Sequence, residues 1–185
     1  MKYDGTTYTL NKAETKKVET ACKKVLKNAN RDGGTLYGKL SLGTFTMDGK
    51  TCVCDGIRFY RLSCDVHDVP RMTDLPEGYK RTDALDRARA ACKCAEPILR
   101  EDTRAEAMTL PALDDVKDAA KNRPNVPFLF DGIYINPKYL LEVMTAFPGV
   151  YFRRPAKQTA PLYFNSAAGD GFIMPVRPPQ TDAAA

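Results

Sequence analysis

Apolar positions recur at helical spacing in the first third of the chain, where Val18, Ala21, Cys22, Val25 and Leu26 fall on one face between Asn11 and Asn28. Asn11 precedes this run and Glu14 stands three residues on, the spacing at which a cap side chain and a glutamate satisfy each other's backbone N–H groups. Thr7–Leu10 reads as a short strand before the helix. Leu36–Leu42, Thr44–Met47 and Thr51–Leu62 read as three strands after it, with Asp48-Gly49 a two-residue hairpin signal.

The last third repeats that order. Phe128-Leu129-Phe130 and Ile133-Tyr134-Ile135 are rich in β-formers, and Asp131-Gly132 between them suits a turn or bulge. Asn136 can cap a helix that starts at Pro137, where the missing N–H costs nothing. Leu140, Leu141, Met144 and Phe147 form its apolar stripe until Pro148-Gly149 ends the run. Val150–Arg153, Pro161–Asn165 and Gly171–Val176 follow as strands, with Gly169-Asp170-Gly171 as the turn before the last. Between the thirds the pattern predicts a loop, a helix from Thr82 or Asp83 to about Cys94 limited by Pro97, and a second helix from Pro111 to about Asn122 carrying Leu113, Val116, Ala119 and Ala120. Both stripes are narrow and alanine-rich, which predicts a helical appendage packed on the core.

Two stretches carry a family resemblance. Ile135-Asn136-Pro137-Lys138-Tyr139-Leu140-Leu141-Glu142-Val143-Met144 resembles a strand-to-helix junction, and Ile173-Met174-Pro175-Val176-Arg177 a closing Met-Pro-x-Arg strand, of the bacterial DNA polymerase III beta subunit (sliding clamp) family. Asp55-Gly56-Ile57-Arg58 is similar to the family's Thr-Asp-Gly-x-Arg strand end, with Cys54 where threonine is usual. The resemblance implies an α+β fold: one DNA-clamp-like domain over 1–185 made of two β-α-β-β-β half-units (1–65 and 126–177); 66–125 has no counterpart in it and reads as a helical insertion, and 178–185 reads as a disordered tail. The resemblance also implies a non-enzymatic protein of DNA replication or repair that binds DNA or acts like a processivity factor. The alternative is a clamp-fold module that binds replication proteins or peptides without encircling DNA. Carried over by position, the family's peptide-binding cleft would comprise Cys54, Ile57, Phe59, Met174, Pro175, Val176 and Arg177. In the family the two motifs of one cleft belong to adjacent domains, whereas this chain has one copy of each.

Charge adds a second candidate surface. The net charge is +5, and it is unevenly spread. Lys12, Lys16, Lys23 and Lys27 fall in a narrow sector of the first helix opposite Val18, Ala21 and Val25, with Lys17 and Lys24 to one side. A line of ammonium groups can bind duplex DNA through its phosphates by releasing counterions, without reading sequence. A solvated lysine face with no partner fits the same pattern. The second helix offers only Lys138, opposed by Glu142. A ring of single domains would need several copies joined through opposite sheet edges, and the insertion can cover an edge, so monomer or dimer is favoured over ring.

The remaining chemistry is mostly excluded. No apolar run is long enough to span a bilayer and the polar N-terminus is no signal peptide, so a cytoplasmic protein with no membrane partner is expected. The six cysteines read as reduced thiols. Cys52-x-Cys54 and Cys92-x-Cys94, with Cys64 and His67 as substitutes, are spaced more tightly than structural zinc pairs usually are, so neither a metal nor a cofactor is expected. No catalytic residue is assigned: His67, the sole histidine, has no marked nucleophile or orienting group, and Gly33-Gly34 leads into a strand rather than a phosphate-binding helix.

Overall fold

The computed structural model describes residues 9–29, 43–71, 93, 95, 97, 106–155 and 157–178. Helix α1 (Lys12–Ala29) opens with the expected capping box. The Oδ1 of Asn11 accepts from Ala13 N and Glu14 N, each at 3.0 Å, while Glu14 Oε2 accepts from Asn11 N at 2.9 Å. Strands β1 (Phe45–Met47), β2 (Lys50–Cys54) and β3 (Arg58–Leu62) form an antiparallel meander. Helix α2 (Leu113–Asn122) and the hairpin of β4 (Phe128–Phe130) and β5 (Ile133–Ile135) precede helix α3 (Pro137–Ala146), where Asn136 Oδ1 accepts from Lys138 N at 3.0 Å. Strands β6 (Tyr151–Arg153), β7 (Leu162–Ser166) and β8 (Gly169–Ile173) make the second meander.

Both Asp-Gly hairpins turn as their residues dictate. Asp48 and Gly49 have φ of 49° and 73°, and Asp131 and Gly132 have φ of 48° and 84°, the paired positive values that match the twist of the flanking strands.

The two meanders join into one six-stranded sheet of order β1-β2-β3-β8-β7-β6, so the last strands of the two meanders pair at its centre. The fold class is α+β, with β4 and β5 as a separate two-stranded sheet. Side-chain alternation gives the large sheet two faces. Val53, Tyr60, Leu62, Phe164 and Ile173 meet Val18, Cys22 and Val25 of α1 and Leu140, Val143 and Phe147 of α3 in the main core. On the outer face Cys52, Cys54, Phe59, Tyr163 and Phe172 form a second cluster, completed by Phe45, Met47 and Ala95. Arg61 and Asp170 join across the seam on that face by two parallel bonds of 2.8 and 2.6 Å.

Several expectations change. Thr51–Leu62 is not one strand: Asp55 Oδ1 accepts from Ile57 N at 2.9 Å and Arg58 N at 2.6 Å, a side-chain turn that splits it into β2 and β3. Gly169-Asp170-Gly171 lies inside β8 and the turn falls at Ala167-Ala168, because β3 approaches β8 so closely that only glycine fits. Met174–Arg177 lies beyond β8. Thr9 and Leu10 are in no strand, and the expected strand Leu36–Leu42 lies outside the described residues, as does the tail from Pro179. Lys93, Ala95 and Pro97 are helical, so Pro97 does not end a helix before it; the rest of that expected helix lies outside the described residues. In α2, Val116 and Ala119 are buried but Leu113 is exposed.

The segment joining the meanders meets both sides of the large sheet. Next to β1, Thr44 N donates to Pro70 O at 2.8 Å and Thr44 bridges Arg71. Beyond β6, Met108 N donates to Phe152 O at 2.8 Å and Arg154 N to Glu106 O at 2.9 Å. Ala95, 1 % exposed, packs onto the outer face between them.

Candidate functional site

Helix α1 lies beside α3 on the inner side of the sheet and turns its polar face outward. It carries six lysines against two glutamates, and both glutamates are occupied by backbone. Glu14 completes the capping box, and Glu19 Oε1 accepts from His67 N at 2.9 Å and Asp68 N at 3.2 Å. The field of the helix is therefore left to its lysines.

Lys12, Lys16, Lys23 and Lys27 are all exposed, as the helical periodicity predicts. Lys23 is tied to the carboxylate of Asp68, which Lys23 first and Lys16 second hold below the usual carboxylate range. Lys12, Lys16 and Lys27 are in no ion pair within 4 Å among the described residues, although Lys16 is close enough to Asp68 to act on its charge. Lys17 is exposed beside them, and Lys24 Nζ stands 3.8 Å from Glu142 Oε2.

Beneath α1 is a buried charge cluster that sequence reasoning missed. Arg58 Nε and Nη2 donate to Asp55 Oδ2 at 3.0 and 2.6 Å, and Nη1 donates to Glu142 Oε1 at 2.7 Å. Tyr60 donates its hydroxyl to the same Glu142 oxygen at 2.7 Å, and Asn28 Nδ2 donates to Asp55 Oδ2 at 3.0 Å. The Arg58 guanidinium also lies 4.2 Å from the centre of the Tyr139 ring. Burial pushes the Glu142 carboxyl upward from its ordinary value, against the pull of Arg58, the Tyr60 hydroxyl and Lys24. Glu142 is only 7 % exposed. The signal lay in β3, where a period of two puts Arg58 on the inner face with Tyr60 and Leu62. The cluster orients α1 and α3 on the sheet and so fixes how the lysine face is presented.

The residues proposed for a peptide cleft do come together around one hydrogen bond, from Met174 N to Ile57 O at 2.8 Å. Phe59 is fully buried, stacked 5.4 Å from Phe172, and Cys54 is nearly so in the same outer cluster. Only Ile57, Met174, Pro175, Val176 and Arg177 offer surface there. Val176 N leaves the large sheet and donates to Tyr134 O of β5 at 2.8 Å.

The described thiols take part in packing, Cys22 in the main core with Cys64 against it. Cys52 and Cys54 belong to the outer cluster, and burial pushes the Cys64 thiol up to about 11. Cys92 and Cys94 lie outside the described residues. Among the described residues, no helix is long and apolar enough to cross a membrane. Comparison with family models, with curated proteins and with solved structures returned no match.

Proposed function

We propose that the chain is a non-enzymatic, clamp-like domain of DNA replication or repair, cytoplasmic, that binds duplex DNA through α1. The observation that carries this reading is the exposed lysine line of α1, whose own glutamates are consumed by the backbone. Supporting the clamp-like part is the order of elements: a helix and a three-stranded meander at each end of the chain, third strands paired, both helices on one face. On this reading 1–65 and 126–177 are the two half-units and 66–125 the insertion.

The domain works as a monomer or dimer in this proposal rather than as a ring. Head-to-tail closure needs free backbone at opposite sheet edges. Here Thr44 beside β1 and the β6 edge already bond to the chain's own Pro70 and Glu106–Met108.

A test is fluorescence titration of labelled duplex DNA against the protein with Lys12, Lys16 and Lys27 changed together to glutamate. Loss of binding with an unchanged thermal transition supports the reading; unchanged binding rejects it. A second reading, a module that holds a replication or repair protein, rests on the half-buried Met174, Pro175 and Val176 beside Ile57. It predicts capture of short apolar peptides that Met174→Glu abolishes.

A further inference from the structure

The hairpin of β4 and β5 leaves one backbone edge open. Its two-residue turn makes Phe130 and Ile133 the hydrogen-bonded closing pair, so Leu129 and Tyr134 form the next, non-bonded pair with their N–H and C=O groups turned outward. On the β5 side that outward carbonyl is taken, because Val176 N donates to Tyr134 O at 2.8 Å. On the β4 side the Leu129 backbone has no partner among the described residues.

The β4 side opens onto a groove of about 410 Å³. Phe128, Leu129 and Phe130 line it while no β5 residue does, so it lies along the open edge. Its opposite wall is Glu106 to Thr109. This wall is extended backbone with the same polarity of need: Met108 N and Glu106 O bond to β6 across the Ala107–Arg153 bridge, which turns the Ala107 N–H and C=O away from β6. Ala107 too has no backbone partner among the described residues.

Two extended edges, each with a solvent-exposed backbone donor and acceptor that has no protein partner among the described residues, face one groove. The group that satisfies both at once is a third extended chain, whose N–H and C=O groups point alternately left and right. Side chains agree. Leu129, one of the exposed large apolar residues among those described, lines the groove at 55 % exposure, beside Phe128 and Phe130. The polar rim is Glu106 and Asp131, with Arg154 paired to Asp131. One carboxylate is thus left over, which favours a basic residue flanking the inserted segment.

We infer that this groove is a strand-addition site for an extended segment of a partner protein, apolar and β-branched at its centre and basic at its flank, zipped between Leu129 of β4 and Ala107. The inference does not depend on DNA binding, since the site uses none of the α1 lysines.

The probe is the fluorescein-labelled peptide Lys-Val-Ile-Val-Lys, titrated by anisotropy. Saturable binding is expected, weakened about tenfold by N-methylation of the central isoleucine, which removes one backbone donor while keeping the side chains. Ala107→Pro removes the donor on the opposite wall and leaves the Met108 and Arg154 bonds to β6 in place, so it too should weaken binding about tenfold. The lysine-to-glutamate variant of α1 should bind the peptide normally. Absence of binding up to millimolar peptide, or binding indifferent to N-methylation, overturns the proposal. Because the methylated peptide is used with the native protein, that arm holds even if the Ala107→Pro protein does not fold.

Discussion

Arg58 Nη1 donates to Glu142 Oε1 at 2.7 Å, a buried ion pair between β3 and α3 across 84 positions of sequence. It ties the first meander to the helix of the second, and Tyr60 and Asp55 complete its hydrogen bonding. Replacing Arg58 with Met leaves Asp55 as a buried carboxylate without its cation and Glu142 with only the exposed Lys24 at 3.8 Å. The expected cost is about 3–5 kcal/mol, read from urea unfolding. Combining Arg58→Met with Glu142→Leu should cost less than the sum of the two single changes, because the second change removes a stranded charge. A loss below about 1 kcal/mol for Arg58→Met would show that the pair does not hold the halves together.

The seam between the meanders depends on Gly171. A Cβ there would lie 2.1 Å from Phe59 O and 3.0 Å from the Phe164 ring, so β3 and β8 would have to separate. Gly171→Ala should destabilise by about 1–3 kcal/mol or more, measured by thermal unfolding. Gly49→Ala, which would meet nothing within 4 Å, should show only the smaller penalty of its positive φ.

How much of this was legible follows from how far each signal reaches along the chain. The Asn11–Glu14 box, the Asn136-Pro137 start and both Asp-Gly hairpins are satisfied within a few residues, so residue identity sufficed. Gly169 and Gly171 resemble turn residues locally; their reason is the passing backbone of Arg61 and Phe59, which local sequence does not contain. Arg58 and Glu142 each look like surface charges until β3 and α3 are brought together. The lysine line of α1 was readable from periodicity, but the removal of Lys23 by Asp68 was not.

Alkaline pH should unfold the protein early. Burial raises the proton affinity of Tyr60, Tyr163, Cys22 and Cys64 in the folded state. For Cys64 the ordinary value of 9.0 rises to about 11, so its contribution is complete below pH 9.0 and is lost as pH climbs through about 11. The urea midpoint should therefore fall steadily across that window. A flat profile to pH 11 would contradict the buried placement of these groups.

Asp68 competes with DNA for Lys23. Asp68→Asn keeps the shape, releases the ammonium group and should tighten duplex binding a few-fold at low salt, with the gain fading as salt screens the helix. Equal or weaker binding would place Lys23 outside the interface.

The most direct measurement for the DNA reading is the affinity of the unaltered protein for duplex DNA across a series of salt concentrations. Contacts from Lys12, Lys16 and Lys27, with Lys17 beside them, predict a straight log–log plot with a slope of roughly −3 to −4. The slope should be the same for unrelated sequences, because phosphates rather than bases are held. A slope near zero, or no binding at low salt, would contradict the account.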